Sequence, residues 1–196
     1  AAEFEKAADA HPDPVQAALA RFKAGDAWFA DGKYELARSQ YRRFASQYAE
    51  DDRTPQAAYQ AAECLRLLKR GAEAAVEFEA VEQRWPQHLL AGSAALHRVR
   101  VLEEEGKWTV ARDAYGEVAA RYTNAAVRSR ALLARGLVLY RLGEFPAAEA
   151  GFSRVVQEHP GTPSAEQAFF MRGWCLYLMG RDAEAVRVCR EFITRF

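Results

Sequence analysis

Apolar positions in this chain recur at helical spacing. Ala37, Tyr41, Phe44, Ala45 and Tyr48 stand at i, i+4, i+7, i+8 and i+11, one apolar stripe along a helix. Ala20, Ala24 and Trp28 mark the stripe of a preceding helix. No convincing run alternates with period two, so no strand is predicted. The pattern itself repeats. Ala37, Ala74, Ala111, Ala148 and Ala185 are each 37 residues apart, and so are Ala20, Ala57, Ala94, Ala131 and Ala168. Four residues after the first column come Tyr41, Phe78, Tyr115, Phe152 and Cys189. Further columns are Phe44, Val81, Val118, Val155, Phe192 and Tyr48, Trp85, Tyr122, His159, Phe196. Earlier in the unit stand Trp28, Leu65, Leu102, Leu139, Leu176, and small residues at Gly25, Ala62, Gly136 and Gly173, with Val99 as the exception.

Each unit therefore predicts two helices. Gly32, Gly106, Gly143 and Gly180 end the first helix, because glycine accepts the left-handed conformation at a helix C-terminus. The second unit breaks this column with Lys69 and places Gly71 two residues later. Asp13-Pro14, Thr54-Pro55 and Thr162-Pro163 each put a capping side chain before a proline at the first helical position. Asn124 and Ser93 are the capping candidates for the remaining first helices. The frame predicts about eleven helices. Residues 1–17 are the second helix of a preceding repeat plus its loop, followed by repeats 18–54, 55–91, 92–128, 129–165 and 166–196 of a single array. The chain opens on Ala1, not Met, and both ends fall inside this frame, so the expectation is a piece of a longer array.

The columns explain why such pairs pack. Two antiparallel helices approach closely only where side chains are small, at Ala37 and its equivalents and at Gly25, Gly136 and Gly173. The aromatic residues are expected to fill the gaps between one pair and the next. No pair can bury its apolar face alone, so stacked neighbours share a continuous core.

The unit resembles the tetratricopeptide repeat. The fourth repeat shows its pattern of small, aromatic and turn residues as Ala131, Leu133, Gly136, Tyr140, Gly143, Phe145, Ala148, Phe152 and Pro160. The fifth shows Ala168, Phe170, Gly173, Tyr177, Gly180 and Ala185. Each unit is a few residues longer than the usual ~34. The resemblance implies an all-α fold, a right-handed α-solenoid of antiparallel helix pairs, with a role in holding other proteins and no catalysis. The phrase His159-Pro160-Gly161-Thr162-Pro163-Ser164-Ala165 is also similar to the longer repeats of bacterial envelope proteins. Those are the lipoprotein of the outer-membrane assembly machine and the periplasmic coordinator of the Tol–Pal system. Other repeats carry only distant versions of that phrase. It implies a periplasmic or cell-envelope location over a cytoplasmic one.

In the resembled family the first helices line a concave groove. Its positions carry over here as Phe22, Phe29, Tyr59, Arg66, Arg100, Arg130, Leu133, Tyr140, Arg141, Phe170, Trp174 and Tyr177. Aromatic anchors beside arginine are typical of protein interfaces. The implied ligand is an extended segment or helix of a partner protein, with apolar anchors and central carboxylates. The alternative, that the fifth-position aromatics are packing residues, stays open. So does the choice between a basic ladder and packed stems for Arg98, Arg135 and Arg172, which share the seventh position of successive units.

Composition narrows the function classes. Lys plus Arg total 27 and Asp plus Glu total 27, a balance unlike that of a nucleic-acid binder. No apolar run of about 18 residues is present to insert in a membrane, and Ala1 to Ala10 do not form a secretory signal. The histidines His11, His88, His97 and His159 show no metal-ligand spacing, and the glycines are isolated turn markers and not a phosphate loop. No metal or cofactor is expected. Cys64, Cys175 and Cys189 read as packing residues, with a Cys175–Cys189 disulfide left open. Two further functions stand beside the scaffold: a recruiting module of a larger enzyme, and a self-assembling array with homo-oligomeric contacts.

Overall fold

The computed structural model describes residues 1–10 and 13–195. His11, Pro12 and Phe196, which the repeat frame includes, lie outside the described residues. The described residues form eleven helices and no strand. These are α1 (Ala2–Ala10), α2 (Pro14–Ala30), α3 (Tyr34–Gln47), α4 (Thr54–Leu67), α5 (Gly71–Arg84) and α6 (Leu89–Glu104). They continue as α7 (Trp108–Arg121), α8 (Ala125–Arg141), α9 (Phe145–Glu158), α10 (Pro163–Leu178) and α11 (Asp182–Arg195). This is the all-helical architecture of a tetratricopeptide-type α-solenoid. The chain divides into two compact units, residues 1–101 and 102–196, with the division inside α6.

The helix ends follow from particular residues. Gly32, Gly106, Gly143 and Gly180 adopt φ of 71, 75, 79 and 70°. Lys69 takes their place in α4 with φ 62°, a conformation costly for a residue with a Cβ. At every one of these turns the same long-range bond closes the helix. The amide of Lys33, Arg70, Lys107, Glu144 or Arg181 donates to the carbonyl of Trp28, Leu65, Leu102, Leu139 or Leu176. That bond is the signature of a Schellman end. Asp13, Asn124 and Thr162 cap α2, α8 and α10 through their side chains.

Two expected caps are not used. Thr54 is the first helical residue of α4; its hydroxyl is buried and donates to the Tyr48 carbonyl, so it ties the preceding loop inward. Ser93 lies inside α6, which begins at Leu89, and the imidazole Nδ1 of His88 accepts from the Leu90 amide instead.

In residues 1–101 the core gathers Ala37, Tyr41, Phe44, Ala57, Ala61 and Cys64, then Ala62, Leu65, Ala74, Phe78 and Val81. In residues 102–195, Ala111, Ala131, Ala148 and Ala168 are wholly buried with Phe152 and Val155. Ala185 is buried as well. The aromatic column does not fill gaps between pairs as expected; it fills notches within them. A Cβ placed on Gly25 would come within 2.6 Å of the Tyr41 ring, and one on Gly136 within 2.6 Å of the Phe152 ring. The glycine of the first helix thus receives the ring of the second, at van der Waals contact.

Candidate functional site

The twelve expected groove residues separate into core, internally paired and surface groups. Phe22 is buried, set edge-on to Tyr41 and Phe44 at ring separations of 5.7 and 5.4 Å. Leu133 is buried too. Both are corrected here to packing residues, because neighbouring helices consume their apolar surface. Phe29 is half-buried against Tyr34 at 5.4 Å, and Tyr59 is half-buried against Phe78 and His97 at 5.5 and 5.6 Å.

Arg66 is engaged within its own unit. Its guanidinium donates to Glu63 through Nε at 2.9 Å and through Nη2. His97 of α6 reaches the same carboxylate through Nδ1 at 3.1 Å. Burial alone would raise the Glu63 pKa. The hydrogen bonds and charges of Arg66 and His97 outweigh it and hold the carboxyl at about 2. Glu63 and Arg66 are therefore a paired cluster that ties α4 to α6. The arginines of the seventh position are also seam residues. Arg98 Nε donates to Glu82 at 2.8 Å and Arg172 Nε to Glu149 at 2.8 Å. Arg135 runs along Gly116, its Nε 3.6 Å from where a side chain there would begin.

The surface group lies mostly in residues 102–195. Phe170, Trp174 and Tyr177 of α10 are 58%, 43% and 58% exposed. The Trp174 indole donates to the Tyr140 hydroxyl of α8 at 2.9 Å, and the Trp174 and Tyr177 rings lie 5.6 Å apart. Arg141 is exposed, its guanidinium 4.1 Å from the centre of the Trp108 ring, and Arg130 is exposed nearby in sequence. In residues 1–101, Arg100 is exposed. The first helices α8 and α10 thus present an aromatic cluster with cationic neighbours, a surface suited to stacking, apolar anchoring and carboxylate binding.

Three exposed residues of α11 adjoin this cluster and were not foreseen: Val186, Cys189 and Ile193. They sit on a second helix, outside the positions carried over from the family. Their signal was a break in the columns, where Ile193 continues the buried Val156, Ala119 and Glu82.

The cysteines are free thiols, with no disulfide between Cys175 and Cys189. Cys64 and Cys175 are buried and burial pushes their thiols up to about 12 and about 11, which makes them inert. Cys189 is exposed, contrary to the expected packing role. Among the described residues no three His, Cys, Asp or Glu side chains gather as metal ligands, and no helix is long and apolar enough to cross a membrane.

No curated protein is a detectable sequence relative of this chain. The fold is similar to that of several solved proteins at low identity. MamA from Desulfovibrio magneticus RS-1, from its residue 41 onward, is 18% identical over 90% of this chain and 93% of its own, with a TM-score of 0.65. RapI in its apo form is 12% identical over 97% of this chain and 56% of its own, with a TM-score of 0.76. The Rap conjugation regulator of plasmid pLS20, solved with a Phr peptide, is 16% identical over 95% of this chain and 57% of its own, with a TM-score of 0.63. A sequence model of the tetratricopeptide repeat matches residues 22–88, 96–163 and 133–196, and the chain belongs to that family.

Proposed function

We propose that this chain is a protein–protein interaction scaffold that binds an extended segment or helix of a partner on the first-helix surface of α8 and α10. The observation that carries this reading is the exposed cluster of Tyr140, Trp174 and Tyr177, bound together by the Trp174–Tyr140 hydrogen bond and flanked by Arg141. Large aromatic side chains left in water on rigid helices lose little entropy on binding and anchor interfaces efficiently. Arg130 and Arg141 supply charge for carboxylates of the bound segment. The complex of the fold-similar pLS20 regulator with a peptide supports the choice of ligand class.

The phrase from His159 to Ala165 supports no particular cellular process. It builds the turn into α10, with Gly161 at φ 80° and Thr162 capping the helix. Replacing Tyr140 and Trp174 together by alanine tests the site. Affinity purification from the source organism should lose the proteins that the wild-type chain captures, at unchanged helicity by circular dichroism. Undiminished capture by the double variant rejects the surface.

A further inference from the structure

Seams between helix pairs show what covers the outer face of a pair in this chain. On α4 and α5, the next first helix, α6, lays His97 against Tyr59, Phe78 and Glu63, and lays Arg98 on Glu82. On α8 and α9, helix α10 lays Arg172 on Glu149. At α7, helix α8 brings Arg135 along Gly116, near enough to Asp113 to lower its pKa together with Arg112. Each incoming helix thus carries an arginine at its seventh position, and the receiving helix offers a carboxylate.

The face of α10 and α11 carries the same columns with different chemistry. Stepping by 37 residues, Glu149 becomes Val186, Val156 becomes Ile193, Ala150 becomes Arg187 and Ser153 becomes Arg190. Val186 and Ile193 are 50% and 77% exposed. The notch is altered as well. Tyr41 and Phe152 fill the notches at Gly25 and Gly136, but opposite Gly173 stands Cys189, its Sγ 3.4 Å from where a side chain would begin. A small thiol in place of a ring leaves a recess of about 350 Å³ lined by Phe170, Gly173, Val186, Cys189, Arg190 and Ile193.

We propose that this face docks an amphipathic α-helix of a partner protein, which sets a large apolar side chain into the Gly173–Cys189 recess and a carboxylate against Arg190. The width of the face is that of one helix, because the equivalent faces of α4–α5 and α8–α9 each hold one. The sign of the charge is set by register. An incoming seventh-position residue falls on the Gly116 column, and that column here is Arg190. An arginine there, as α6, α8 and α10 would bring, meets a like charge. A second copy docked face to face would set Arg187 and Arg190 against their own counterparts. A helix with an acidic residue in that register meets complementary charge.

Two stapled helical peptides with the sequence of α10, Pro163–Leu178, test the assignment: one as it stands and one carrying Arg172→Glu. Fluorescence anisotropy against the chain should show the Glu peptide binding at least tenfold more tightly than its parent. Cys189→Phe, which fills the recess as Phe152 fills its own, should abolish binding. Alkylating Cys189 with a bulky maleimide on the folded protein should do the same, since Cys64 and Cys175 are buried. Arg190→Glu should reverse the preference between the peptides. Tyr140→Ala, outside the recess, should leave binding unchanged and so separates this site from the α8–α10 surface proposed above. Equal affinity for both peptides, no binding of either, or binding that survives Cys189→Phe overturns the proposal. Dimerisation of the chain that Cys189→Phe abolishes would give the face to a second copy, and overturns it equally.

Discussion

At the scale of single residues, the same amino acid does opposite things in equivalent places. Gly136 is surrounded: a methyl group there would press to 2.6 Å from a fully buried Phe152 ring, which cannot withdraw. Gly173 is not, because its nearest neighbours would be Cys189 and Val188 at 3.4 and 3.5 Å, ordinary contact. Alanine gains about 1 kcal/mol over glycine inside a helix, whereas overpacking costs about 1–3 kcal/mol. Gly136→Ala should therefore lower the melting temperature, and Gly173→Ala should hold or raise it. A drop of similar size in both variants would refute the notch account. The small-residue column was legible in the sequence, since its period singles it out. What it receives was not, because periodicity gives the face of a helix and not the depth to which a neighbour reaches. Phe22 and Leu133 show the same gap, sharing groove positions with Phe170 yet ending in the core.

At the scale of helices and turns, the chain was largely readable. Turn glycines, the capping side chains Asp13, Asn124 and Thr162, and the apolar stripes mark their own places. Thr54 and Ser93 were misplaced because a cap depends on where the preceding loop runs, and there Tyr48 and His88 decide it. The pairing of Arg66 with Glu63 and His97 was also hidden, since charge at a groove position gives no sign of which partner it meets. Lys69 is the informative irregularity. It closes α4 with the same Schellman bond as its glycine equivalents, Arg70 amide to Leu65 carbonyl, yet it carries a Cβ in the left-handed region. Relief of that strain, about 1–2 kcal/mol, exceeds the extra entropy glycine loses on folding, about 0.5–1 kcal/mol. Lys69→Gly should stabilise the protein by up to about 1 kcal/mol in urea unfolding. Lys69→Val, β-branched in the same conformation, should destabilise it, and the reverse order of the two variants would refute the assignment.

At the scale of the whole molecule, zero formal net charge conceals a set of carboxylates held in their ionised form. Hydrogen bonds from Arg21, Arg53, Arg70, Arg112, Arg154 and Arg181 lower the pKa of Asp9, Asp51, Glu73, Asp113, Glu158 and Glu184. These pairs lie near the surface, where solvent screening leaves little of each. Glu63 differs in that its side chain and those of Arg66 and His97 are only 14, 13 and 15% exposed. A carboxyl whose pKa is lower in the folded chain stabilises it fully above the unfolded value, here 4.5, and loses that contribution as pH falls toward about 2. Melting temperature should thus be nearly flat from pH 7 to about 5 and fall steeply below. Glu63→Gln leaves Arg66 without its charged partner and should cost about 2–3 kcal/mol near neutral pH. It should also flatten the acid limb, because the largest single difference in proton uptake is gone. Glu184→Gln, on the surface, should change neither appreciably. If melting curves of Glu63→Gln run parallel to wild type down to pH 2, the α4–α6 cluster does not govern acid stability.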